Sequence, residues 1–116
     1  MSLSKLIATK LSREQQQHLI KRLKDEVLSC IKPKSLILFG SASRYEMTEA
    51  SDLDLVVIVA SAEEIKPAFK ALRLTSMKID WPLDLLITDE KTFQARASLG
   101  GVYYIAQTEG TILFTV

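Results

Sequence analysis

The stretch Leu53-Asp54-Leu55-Val56-Val57-Ile58-Val59 constrains this chain more than any other feature. Its density of β-branched residues reads as a central strand. Yet the strand opens on acids, with Asp52 just before it and Asp54 inside it. An unpaired buried charge costs several kcal/mol, so such positions need partners or a metal ion. Residues two apart on a strand point to the same face, which lets the two carboxylates share one cation. Held that close without one, they repel.

A third acid lies in similar surroundings. Residues 82–87 read as another strand with Asp84 between Leu83 and Leu85. If that strand lies beside Asp54, three carboxylates can hold two divalent ions about 3.5–4 Å apart, one at the attacking oxygen and one at the leaving group. Mg²⁺, or Mn²⁺ in its place, suits oxygen donors completed by substrate phosphates. Asp80 competes for the third position, but it precedes Trp81-Pro82 and falls in a loop or at the strand start. Taken singly, each acid has a bland alternative; Asp52 could simply end a loop by accepting backbone amides. Taken together, Asp52, Asp54 and Asp84 form the candidate catalytic and metal-binding set.

Residues 35–39 form a short apolar run, too short for a helix, that ends in Gly40-Ser41. Glycine after a strand lets backbone amides approach a phosphate, and the serine hydroxyl adds a donor. Alone, the pair is an ordinary turn. Its distance from the acids gives it weight.

The remaining pattern is that of one α/β domain, a small mixed sheet with flanking helices, over residues 1–116. Ser12-Arg13-Glu14-Gln15 is a capping box, and Leu19, Ile20, Leu23, Val27, Leu28 and Ile31 recur at helical spacing up to Pro33. Leu3, Leu6 and Ile7 suggest a shorter helix ahead of it. The domain thus divides into an N-terminal helical region, residues 1–33, and a core, residues 35–116. Residues 43–49 are polar and compatible with a helix. Ser61 to Glu64 form a second capping box, with Pro67 placing the helix start or a kink nearby. A helix over residues 89–98 buries Phe93 and Ala97, Gly100-Gly101 ends it, and a helical piece over 102–108 is closed by Gly110. Residues 111–116 make a last strand.

Charge and composition narrow the function classes. Residues 1–35 carry eight Lys/Arg against three acids, the rest seven against eleven, so a basic head precedes an acidic body and the whole is only +1. No aromatics interleave the basic residues, which favours the solvated side of a helix over a nucleic-acid face. No apolar stretch reaches the ~20 residues of a membrane span and no signal peptide is evident, so a cytosolic protein is expected. Cys30 and His18 each lack a second ligand at metal spacing and receive no role.

Gly40-Ser41, ten residues, then Asp52-Leu53-Asp54 resembles the signature of nucleotidyltransferases of the DNA polymerase beta superfamily. Pro82-Leu83-Asp84-Leu85-Leu86 is similar to that family's third-carboxylate strand, and Arg44 falls where small members place an arginine. Tyr45 departs from the pattern, standing where glycine often follows that arginine. The resemblance covers about residues 35–115 and is strongest to the stand-alone minimal nucleotidyltransferases, called MNT, whose usual partner is a helical HEPN protein. It implies a polymerase-beta-like fold with ATP as donor. It also implies that Asp52 and Asp54 hold both metals, Asp84 binds the catalytic one and helps deprotonate the acceptor hydroxyl, and Gly40 and Ser41 grip the β- and γ-phosphates. Arg44 either contacts phosphate or pairs with Glu46 or Glu49. In such pairs the HEPN protein is a ribonuclease toxin, and its MNT partner is the antitoxin that transfers AMP to it. Two other readings stand beside this one: a nucleotide-binding antitoxin acting by contact alone, and an enzyme adenylylating a small molecule. Acceptor, base specificity and self-association stay open.

Overall fold

The computed structural model describes residues 8–116, so the helix expected around Leu3, Leu6 and Ile7 lies outside the described residues. Among the described residues no helix is long and apolar enough to cross a membrane.

Helix α1, Arg13–Cys30, begins at the expected capping box: Gln15 N donates to Ser12 Oγ at 3.0 Å, and Ser12 N to Gln15 Oε1 at 2.8 Å. Its stripe of Leu19, Leu23 and Val27 is buried, each worth roughly 1.5–3 kcal/mol relative to exposure. Strand β1, Ser35–Phe39, leads into a 3₁₀ turn over Gly40–Arg44, and β2, Leu53–Val59, follows after a loop. A 3₁₀ turn, Ala62–Glu64, opens α2, Ile65–Leu72, which puts Pro67 in the first helical turn where its missing N–H costs nothing. Helix α3, Thr75–Ile79, leads to β3, Leu83–Asp89, then α4, Glu90–Ala97, α5, Val102–Glu109, and β4, Thr111–Thr115.

The strands form one mixed sheet in the order β3-β2-β1-β4, parallel between β2 and β3 and antiparallel elsewhere. As the apolar run predicts, β2 is central. Its odd residues, Leu53, Leu55, Val57 and Val59, face the larger core with Leu19, Leu23, Val27, Ala68, Leu72 and Ile79. Its even residues Val56 and Ile58 face a smaller core of Ile37, Phe93, Ala97 and Ala106. Strand alternation therefore places Asp54 on the side of α4 and α5, near the end of the sheet where β1 stops and β2 and β3 begin.

Two local expectations are corrected. Residues 43–49 are not a helix: the 3₁₀ turn stops at Arg44, and Tyr45 adopts a left-handed backbone with φ 54°. The buried Gln16 side chain imposes this path, donating to Leu11 O at 2.9 Å and Tyr45 O at 3.2 Å while accepting Met47 N–H at 3.1 Å. Helix α3 was not foreseen, since its local sequence is weak; Thr75 and Ile79, one turn apart, are buried, and Lys78 pairs with Glu26 of α1 at 3.2 Å.

Gln16 thus ties α1 to the loop between the Gly-Ser turn and Asp52. Replacing it with leucine, Gln16→Leu, leaves three backbone groups unpaired around the fully buried Met47 and should cost about 2–3 kcal/mol. Urea unfolding measures this; a loss below about 0.5 kcal/mol would mean that water replaces the side chain.

Candidate active site

The acids meet at one end of the sheet because two strands bring them there. In the parallel ladder Asp54 of β2 lies directly opposite Asp84 of β3, with the neighbouring pairs Leu53–Leu83 and Leu55–Leu85 in register. Parallel strands run about 4.8 Å apart, so the two carboxylates are neighbours on one face. Asp52 sits one residue ahead of β2, exposed, and near enough to Asp54 for its charge to be felt there. Asp80, the competing third acid, ends α3 in a left-handed conformation, φ 54°, away from this register.

The charges feel one another. Burial raises the pKa of the half-buried Asp54 carboxyl above its ordinary value, and the negative charges of Asp84 and then Asp52 add to the rise. Among the described residues no three or more His, Cys, Asp or Glu side chains stand close enough together to hold a metal ion as they are oriented, so Asp52, Asp54 and Asp84 would have to draw in around one. What is present is a set of hard oxygen donors whose ionised forms disfavour one another, and such a set fits a divalent cation that would neutralise it.

Gly40 closes the site from the side. It has φ +71°, and a Cβ there would collide with Asp54 Oδ2 and lie 3.3 Å from its Cγ. Only glycine provides both the left-handed backbone and this approach, so the turn is pressed against the acid. The antiparallel register explains it, since Phe39, the residue before Gly40, pairs with Asp54. Ser43 Oγ donates to Gly40 O at 2.8 Å and Glu46 N to Ser41 O at 2.9 Å, holding the turn from behind.

Of the two roles considered for Arg44, the structure shows the pairing with Glu46. Its Nε lies 3.3 Å from Glu46 Oε2 in an exposed ion pair, an arrangement worth little energetically. Tyr45, in the position where the signature favours glycine, carries the left-handed backbone that a glycine would hold at no cost. Stacking of the Arg13 guanidinium 4.2 Å from its ring centre, with Gln16 on its carbonyl, offsets that strain of about 1–2 kcal/mol. His18 is exposed on α1, and Cys30 is half-buried near Glu26 Oε1 at 3.7 Å.

Sequence reasoning missed two residues that shape the site. Gln16 stands at helical spacing with Leu19, Leu23 and Val27, and a polar residue on an apolar stripe was the signal to look for. Trp81 precedes the Asp84 strand, and its indole Nε1 donates to Ser51 O at 2.8 Å.

The sequence profile of the nucleotidyltransferase domain family matches residues 19–100, and the chain belongs to that family. It is a nucleotidyltransferase by class. The match starts at Leu19, within α1, and so extends N-terminal to the residues 35–115 that the sequence resemblance covers. Among solved structures, the fold is similar to a Sulfolobus solfataricus protein assigned as a nucleotidyltransferase, with TM-score 0.56 and 20% identity over 87% of this chain and 81% of that one. It is also similar to a chain of the toxin–antitoxin complex MntA-HpeT, in a variant with two aspartates changed to glutamate, with TM-score 0.54 and 19% identity over 87% and 73%. A toxin–antitoxin structure with AMP-PNP gives TM-score 0.55 and 20% identity over 87% and 73%. No curated protein matches the chain in sequence.

Proposed function

We propose that this nucleotidyltransferase moves AMP from ATP to a hydroxyl on a protein partner of the helical HEPN type, and in doing so acts as the antitoxin of a pair. The observation that carries the reading is the juxtaposition of Asp54, its register partner Asp84 and the Gly40 turn pressed against Asp54. Three further points support it. The two toxin–antitoxin structures share the fold, one of them holds AMP-PNP, and the aspartates altered in the other are two residues apart, as Asp52 and Asp54 are.

In this reading Asp52, Asp54 and Asp84 hold two divalent ions, Mg²⁺ or Mn²⁺. When bound, the ions neutralise phosphate charge and polarise the reacting oxygens. Gly40 and Ser41 bind the β- and γ-phosphates, and Arg44 takes part only by leaving Glu46. Asp84 receives the proton of the acceptor hydroxyl as its oxygen bonds to the α-phosphorus. The bond from that phosphorus to the β-phosphate oxygen breaks, and pyrophosphate leaves. Positioning and charge neutralisation supply most of the rate. The catalytic core spans residues 35–116 with α1 bracing it, and the cytosol supplies the ATP.

The test is co-expression with a helical HEPN-type protein encoded beside this chain, where there is one, followed by intact-mass measurement after incubation with ATP and Mg²⁺. A partner that gains the mass of one or more AMP units with the wild type supports the reading. Stable association with no gain under any nucleoside triphosphate rejects it in favour of inhibition by contact alone.

A further inference from the structure

Asp52 lies outside the strand ladder, in the exposed residue before β2, where a loop side chain ordinarily wanders. Yet the peptide units on both sides of it are anchored to a single dipeptide. Trp81 Nε1 donates to Ser51 O at 2.8 Å, and Leu53 N donates to Pro82 O at 2.9 Å. The Ser51 carbonyl shares a rigid plane with the Asp52 amide, and the Asp52 carbonyl shares the next plane with the Leu53 amide. Fixing both planes fixes φ and ψ at Asp52, and with them the direction of its Cα–Cβ bond.

The anchor is itself held. Trp81 N donates to Ser76 O at 3.1 Å, Trp81 O accepts Ser76 Oγ at 2.6 Å, and the ring packs against the larger core. On its other side Ser51 is tied to Thr48, its amide donating to Thr48 O at 3.1 Å and its Oγ accepting Thr48 N–H at 2.8 Å. Trp81-Pro82 then runs directly into β3, which carries Asp84. The backbone that delivers one carboxylate therefore aims another.

We infer that Trp81 is a positioning residue: its indole N–H orients Asp52 toward Asp54 and Asp84, so that the acid outside the sheet is set by the strand that carries the third acid. The inference rests on the metal-site reading above and adds to it a residue outside the carboxylate set, bonded to the backbone that carries Asp52. Losing a hydrogen bond that orients a ligand typically costs 10–100-fold in metal affinity, and a loss of about that size is expected here.

The experiment replaces Trp81 with 3-benzothienylalanine, which keeps the ring shape and lacks the N–H, and with phenylalanine, Trp81→Phe, as the genetic counterpart. Mn²⁺ affinity is measured by calorimetry with a non-hydrolysable ATP analogue, beside thermal midpoint, kcat and KM. The isosteric variant is expected to bind Mn²⁺ on the order of 10-fold more weakly, with kcat falling more than KM rises and the fold retained. In an Asp52→Asn background the same replacement should change Mn²⁺ affinity no further, because its effect passes through Asp52. Wild-type affinity in the isosteric variant, or an equal loss with and without Asp52, overturns the inference while leaving the metal site standing. A wild type that binds no Mn²⁺ overturns both.

Discussion

Asp54→Asn is expected to abolish nucleotide transfer, lowering kcat on the order of 10³-fold or more, while making the metal-free protein more stable at neutral pH. The two effects have one cause. Asp54 is the half-buried acid of the set, and burial, then Asp84, then Asp52 all penalise its ionised form. Its folded pKa lies above its unfolded value, so the folded state holds the proton more tightly. By linkage, stability falls as pH rises from the ordinary carboxylate value through the raised one, and the penalty persists at pH 7. Asparagine has nearly the same shape and no charge, so it removes the penalty together with the metal ligand. Thermal melts in EDTA should show a higher midpoint for Asp54→Asn at pH 7, with the gain vanishing well below the ordinary carboxylate range. A midpoint several degrees lower at pH 7 would mean that the carboxylate is structural, and unchanged transfer activity would remove it from the site.

Gly40→Ala is expected to separate stability from function in the opposite proportion. Its backbone, at φ +71°, costs alanine about 1–2 kcal/mol. The new methyl also meets Asp54 Oδ2, the free end of a side chain that can rotate away. The collision therefore adds little to the loss of stability, but it turns the carboxylate from its position. Misplacing a reacting group by about 1 Å costs on the order of 10²-fold in rate, and a loss of that size in kcat is the expected result. Urea unfolding and transfer kinetics on the same preparation check both halves. Destabilisation accompanied by wild-type kcat would show that the turn lies against Asp54 without serving catalysis.

Much of this architecture was legible before any coordinates, for identifiable reasons. The run from Leu53 to Val59 is too apolar to be anything but central, and it is. Ser12, Ser61, Gly110 and Pro67 marked helix boundaries through local chemistry that does not depend on the rest of the fold. The expectation of a helix over residues 43–49 failed because local propensity was overridden from a distance. Gln16, far back on α1, captures the polar groups of Tyr45 and Met47 that a helix would have used for itself. Helix α3 was missed for the converse reason, since its stability comes from burial of Thr75 and Ile79 and from contacts with Arg22 and Glu26 rather than from its own sequence.

The sequence by itself determined which residues could do chemistry, because acids inside an apolar run and a glycine at a strand end are costly or useless unless something uses them. It determined the face of Asp54, since strand alternation is a property of the backbone, whereas Asp52, one residue ahead of the strand, is directed by hydrogen bonds from elsewhere in the fold. Only the tertiary structure decided that Asp84 rather than Asp80 joins them, because strand register is set by which apolar faces pack, and that packing pairs Leu53 with Leu83 and so Asp54 with Asp84. It likewise decided that Gly40 is pressed against Asp54, that Arg44 lies on Glu46, and that Trp81 and Pro82 hold the backbone of Asp52. Apart from the local Arg44–Glu46 pair, each of these is a contact between segments distant in sequence, fixed by the core that forms between them rather than by any pattern within either one.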